Sequence, residues 1–113
     1  MRRGEIWSAQ LEDPTGSGPG FRRPVVIVSS NAFNETQIDT VVVVVMTGNV
    51  ARAGSPGNVL VPGKRSDLPR DSVINVTQLM TIDKRELDQP VGRLPARYVD
   101  KLNAGLRLVL GLG

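Results

Sequence analysis

The sequence predicts a mainly β domain closed by a C-terminal α-helix. Short β-branched runs separated by glycine- and proline-rich stretches extend as far as Leu94, and a helical period begins only after Pro95. A length of 113 residues suits one domain, which at this size buries roughly two thirds of its unfolded surface. Five or more short strands followed by one helix imply a small, strongly twisted sheet or partly closed barrel, with the helix over one opening.

Taken in order, Glu5 to Leu11 alternates, with Trp7, Ala9 and Leu11 on one face, as a half-buried strand does. Glu12 to Gly20 follows, and three glycines and two prolines within its last seven residues predict a mobile loop. Val25 to Val28 and Thr40 to Met46 are continuous β-branched runs, the pattern of central strands covered on both faces. Gly48 to Asn58 reads as irregular, Asn58 to Val61 and Ser72 to Leu79 as strands, and Pro69 to Asp71 as the turn before the latter. Thr81 to Leu87 suggests a helical turn and Val91 to Leu94 a last short strand. Val99, Leu102, Leu106, Val109 and Leu110 then follow a helical period. Pro95 suits its first turn, and Gly105 costs it about 1 kcal/mol of propensity. Trp7 and Tyr98 lie in core-patterned segments and are expected to pack, while Arg2 and Arg3 read as a solvated terminus.

Composition restricts the chemistry more than any single motif. The chain has no cysteine and no histidine, which excludes thiol nucleophiles, disulfides, Cys/His zinc sites and imidazole acid–base pairs. Fourteen Lys and Arg against eleven Asp and Glu give a net charge of +3, compatible with an anionic partner such as nucleic acid. No run approaches a membrane span, and no apolar stretch of signal-peptide length follows Arg2-Arg3, so a cytoplasmic protein without membrane association is expected.

Several residues are candidates for a site, each with a plainer alternative. Arg22-Arg23-Pro24 opens a buried strand, where a guanidinium can bind phosphate bidentately and stays charged at any working pH; the alternative is a solvated arginine pair. Thr47-Gly48 ends the next strand and can present a hydroxyl beside a glycine that admits another backbone, or simply begin a turn. Ser72, Asn75, Thr77 and Gln78 put polar groups on an apolar strand. Residues 72, 74, 76 and 78 share one face of a regular strand, so Ser72 and Gln78 are expected to line one surface, or to alternate into water. Phe21 can stack on an unpaired base, worth roughly 1–3 kcal/mol, or anchor the loop.

Five strings in order, RRGEIW at 2–7, DPTGSGPGFRRPVVIVS at 13–29, NAFN at 31–34, VVVVVMTGNVAR at 41–52 and SVINVTQLMTIDK at 72–84, resemble the MazF/PemK family of mRNA interferase toxins. Only the last helix lacks such a string, and 31–52 is similar to the PemK/Kid branch. The resemblance implies an SH3-like small barrel of the CcdB/PemK type with a C-terminal helix. It also implies a homodimer with single-stranded RNA across its groove, and a cognate antitoxin whose acidic, disordered tail occupies that groove. The family's arginine before the Pro-Val strand and its strand-ending threonine act on the scissile phosphate, and they correspond to Arg23 and Thr47. A glutamine that helps hold substrate in some members corresponds to Gln78. Two departures stand out. Gly18-Pro19 replaces a Glu-Gln pair common in the first loop, and Asn75 and Thr77 occupy the positions of an Arg-x-Asp proposed as the acid–base pair in the PemK/Kid branch.

The residues present suit cleavage by the substrate's own 2′-hydroxyl, with no metal or other cofactor. Arg23 would hold the non-bridging oxygens and Thr47 would donate to an adjacent one, leaving a 2′,3′-cyclic phosphate and a 5′-hydroxyl. The general base stays unassigned, with Glu12, Asp13 and Asp71 as candidates. The competing readings are a CcdB-like gyrase poison without nuclease activity and an SH3-like interaction module, although 4% aromatics is little from which to build a peptide groove.

Overall fold

The β-branched runs are buried from both sides. In the computed structural model of the chain, which describes residues 1–11 and 21–113, Val25, Ile27, Val43 and Val45 join one apolar cluster with Ala9, Leu11, Val41 and Ile82. Their sequence neighbours Val26, Val44 and Met46 join a second cluster with Ile6, Ile74, Leu102 and Leu106. Successive strand residues face opposite sides of a sheet, so an uninterrupted apolar run is what a strand covered on both faces needs. Fully burying one such valine contributes roughly 1.5–3 kcal/mol.

These runs lie in β2 (Phe21–Ile27) and β3 (Thr40–Thr47). With β1 (Glu5–Leu11), β4 (Val59–Val61), β5 (Ser72–Asp83) and β6 (Leu87–Arg93) they form a sheet ordered β4-β5-β3-β2-β1-β6. Every pairing is antiparallel. The molecule measures 33 × 29 × 27 Å, whereas a flat sheet with one covering layer is only about 20 Å through. The sheet is therefore strongly curled, and the C-terminal helix α3 (Ala96–Leu110) packs on β4 and β5. This is the mainly β architecture with a C-terminal helix that the sequence predicts.

Some boundaries differ from expectation. β5 continues past Leu79, since Ile82 pairs with Val41 and Asp83 with Thr40. Only Lys84–Glu86 of the expected helical turn is helical, as a single 3-10 turn. Asp83 starts that turn by accepting from the Arg85 amide, while Glu86 accepts from the Asp83 amide. Hydrogen bonds from Arg85 hold the Asp83 carboxyl below its usual range. β6 begins at Leu87 rather than Val91 and tolerates Pro90 because it is an edge strand. Two single-turn helices, α1 (Asn31–Asn34) and α2 (Gly63–Ser66), are too short to leave a period in the sequence. The loop expected over Glu12 to Gly20 lies outside the described residues.

Arg3 is not a solvated terminal residue. Its side chain donates to the Val28 carbonyl and to Asn103 Oδ1, both at 2.8 Å, and its amide donates to Asn31 Oδ1. It thereby ties the N-terminus to α1, to the end of β2 and to α3. Gly105 likewise has a packing reason. A Cβ there would run into the carbonyl of Gly57, which itself takes a φ of +85°, so a glycine pair lets α3 lie directly on the chain entering β4.

Candidate phosphate-binding site

Arg23 and Thr47 meet through strand register. Val25 pairs with Val45 across β2 and β3, and continuing two residues toward the strand ends sets Arg23 opposite Thr47 on the same face. Both are half-buried. Together with Asn49, Arg52, Asn75, Thr77 and Gln78 they line an open pocket of about 470 Å³. Among the described residues every lining side chain is polar, two are guanidinium groups and none is a carboxylate. Thr47 Oγ1 accepts from the Asn49 amide at 3.2 Å, which leaves the hydroxyl proton to be donated to a ligand.

A bulge in β5 builds the far wall. Between the pairs Val44–Leu79 and Met46–Ile74, β3 advances two residues while β5 advances five, so Asn75 to Gln78 leave the ladder. Asn58 fills the gap. Its Oδ1 accepts from the Val76 amide at 2.9 Å, and its Nδ2 donates to Asn75 Oδ1 at 3.1 Å and to the Arg52 carbonyl at 2.9 Å. Asn75 in turn donates to Gln78 Oε1 at 2.9 Å. One asparagine thus fixes both the turn carrying Arg52 and the amide of Gln78, whose own N–H donors remain available.

The bulge also separates two residues expected on one surface. Ser72 is only 5% exposed and its hydroxyl donates to the Arg70 carbonyl at 3.4 Å. It lines a neighbouring pocket with Ser8, Arg22, Pro24, Leu68 and Arg70, not the pocket of Gln78. Face sharing along 72–78 holds only for a regular strand, and this one is interrupted. Arg22 is exposed and pairs with Asp88, Nε to Oδ2 at 3.1 Å. The side chain of Phe21, and Glu12 and Asp13 entirely, lie outside the described part of the chain. Asp71 accepts from the Gly63 amide at 2.9 Å and is absent from the Arg23–Thr47 pocket. Arg52, Asn49, Asn58 and Arg70 were not singled out from sequence. They sit in turns and at strand starts, where polar residues are ordinary.

A sequence model of the family described as PemK-like, MazF-like toxin of type II toxin-antitoxin systems matches residues 2–110. The chain belongs to the PemK/MazF toxin family. Among its relatives, Endoribonuclease MazF2 of Mycobacterium bovis is 44% identical over 112 residues, 99% of this chain and 98% of that protein. Endoribonuclease EndoA of Bacillus subtilis is 32% identical over 99% of this chain and 96% of its own length. Among solved structures, an endoribonuclease in complex with its cognate antitoxin from a mycobacterial species superposes with a TM-score of 0.79. It is 28% identical and covers 100% of this chain and 97% of that one. A PemK/MazF match over nearly the whole chain does not favour the gyrase-poison reading. No helix among the described residues is long and apolar enough to cross a membrane.

Proposed function

We propose that this PemK/MazF family member is the toxin of a type II toxin–antitoxin pair and acts as a metal-independent endoribonuclease on single-stranded mRNA. The observation that carries the reading is the juxtaposition of Arg23 and Thr47 in a pocket of amides, hydroxyls and a second guanidinium. The names of the relatives, all endoribonucleases, support the reaction class.

In the reaction the 2′-oxygen attacks phosphorus, the P–O2′ bond forms and the bond to the 5′-oxygen breaks, the leaving oxygen taking a proton from water to become the 5′-hydroxyl. Arg23 binds the non-bridging oxygens of the phosphorane, and Thr47 donates its hydroxyl proton to one of them. Preorganised donors of this kind often provide the largest share of catalysis. Arginine does not act as the base, because a guanidinium holds its proton at any working pH. Among the described residues the pocket offers no carboxylate, imidazole or amine, so the 2′-hydroxyl proton passes to another acceptor. Glu12 and Asp13, which follow β1 in the sequence, are the candidates. Gln78, Arg52 and Phe21 hold the flanking nucleotides.

The partners follow from charge and apolar surface. An antitoxin with an acidic, disordered tail would lie over the arginines that rim the pocket and block it, in keeping with the antitoxin complex of the mycobacterial endoribonuclease. The toxin acts as a homodimer in the cytoplasm. Purified protein incubated with long RNA in EDTA should cut at discrete positions, leaving 5′-hydroxyl ends. Loss of all cleavage in chelator, restored by magnesium, would contradict the proposal. Intact RNA under every condition would return the gyrase-poison reading.

A further inference from the structure

Arg70 lies in a seat made by two glycines distant in sequence. A Cβ on Gly63 would come within 2.7–2.9 Å of the Arg70 backbone, and a Cβ on Gly48 within 2.8–3.0 Å of its Nη2, Nε and Cζ. Its guanidinium therefore occupies the space a side chain at Gly48, the residue after Thr47, would take. The backbone around Arg70 is pinned as well, since Ser72 Oγ donates to its carbonyl and Asp71 accepts from the Gly63 amide. Among the described residues no ion pair engages this guanidinium, although the residue is exposed. A long cationic side chain that is held in place, solvent-accessible and unpaired is a ready anion site.

The groove continues from the Arg23–Thr47 pocket to Arg70. A shallower surface lined by Arg23, Thr47, Gly48 and Arg70 joins that pocket to the one containing Ser8, Leu68 and Ser72. Arg70 borders the joining surface and the second pocket but not the first. A strand whose scissile phosphate sits between Arg23 and Thr47 would cross Gly48 and bring its neighbouring phosphate onto Arg70. Arg22 borders the same surface but is already engaged by Asp88, so Arg70 is the cation positioned for this role.

We propose that Arg70 is a second phosphate-binding residue, which holds the phosphodiester next to the scissile one and sets the substrate's register in the groove. This rests on the nuclease reading above and adds a binding subsite to it. The prediction concerns binding rather than chemistry: Arg70→Ala should weaken RNA about tenfold at moderate salt while leaving the cleavage rate at saturating RNA nearly unchanged.

The test uses the whole protein and a pool of fluorescent, mixed-sequence heptanucleotides carrying 2′-O-methyl groups throughout, so that binding is read without cleavage. Affinity is measured against salt for the wild type, Arg70→Ala, Arg70→Lys and Arg65→Ala, with cleavage of long RNA followed in parallel. One lost phosphate contact lowers the log–log salt slope by about 0.7 on a single strand. That decrease is expected for Arg70→Ala, with Arg70→Lys keeping most of the slope. Arg65→Ala is the control, because it removes an exposed charge that borders none of these surfaces. An unchanged slope in Arg70→Ala, or an equal decrease in Arg65→Ala, would overturn the inference while a cleaving wild type left the nuclease reading standing. A 10²-fold fall in saturated rate for Arg70→Ala would also overturn it, by moving Arg70 onto the scissile phosphate. A wild type that neither binds nor cuts would defeat the reading on which the inference rests.

Discussion

Arg23 lies near the start of β2 and Thr47 ends β3, each beside a run of residues buried on both faces, so backbone stiffness positions both side chains. If both contact the phosphorane, alanine at either position should reduce cleavage about 10²–10³-fold, a loss of roughly 2.7–4 kcal/mol, with the fold retained. Arg23→Lys keeps the charge but loses the planar fork and should remain severely impaired. Because the two act on one transition state, the double alanine variant should be less impaired than the product of the singles. Single-turnover rates would decide it, and strict multiplicativity, or full activity in Arg23→Ala with loss in Arg22→Ala, would reject the assignment. These two residues were legible because they adjoin conspicuous runs, Pro-Val-Val-Ile and Val-Val-Val-Val-Val-Met. Asn58 was not, because its role exists only when β4, β5 and the Arg52 turn come together.

At the scale of elements, what could be read in advance was what repeats locally. β1, β2 and β3 announce themselves by alternation or by unbroken apolar runs. The bulge in β5 does not, since Asn75-Val76-Thr77-Gln78 reads as ordinary alternation until pairing with β3 skips it. The extra length of β5 and β6 was hidden for the same reason: Thr81-Ile82-Asp83 is too short to show a period, and Pro90 is acceptable only once β6 is known to be an edge. The helix α3 offers a contest of opposite signs. Gly105→Ala should gain about 1 kcal/mol of helix propensity, yet its Cβ collides with the Gly57 carbonyl, a backbone atom that cannot swing aside. Overpacking of this kind costs about 1–3 kcal/mol, so the variant should be net destabilised in urea. A higher unfolding midpoint would show that α3 does not need its close approach to β4.

At the scale of the molecule, apolar surface is left over. Leu108 is 64%, Leu112 58%, Leu110 49% and Leu60 44% exposed, while Leu60 and Leu108 border one groove between β4 and α3. A second copy covering this face would hide side chains that a monomer leaves in water, and Asn58, at the same groove, links that face to the pocket. Sedimentation should therefore find a dimer at micromolar concentration, dissociated by Leu108→Glu. A fully active wild-type monomer would exclude it. In the proposed reaction RNA supplies its own nucleophile to a pocket whose side chains only hold and stabilise. The most direct test is an oligoribonucleotide spanning a mapped cleavage position, compared with the same strand carrying one 2′-deoxy sugar on the 5′ side of the scissile bond, both in EDTA. The ribonucleotide should be cut to a 2′,3′-cyclic phosphate and a 5′-hydroxyl while the deoxy linkage stays intact. Cleavage of both at comparable rates would mean that water is the nucleophile, and would contradict the mechanism.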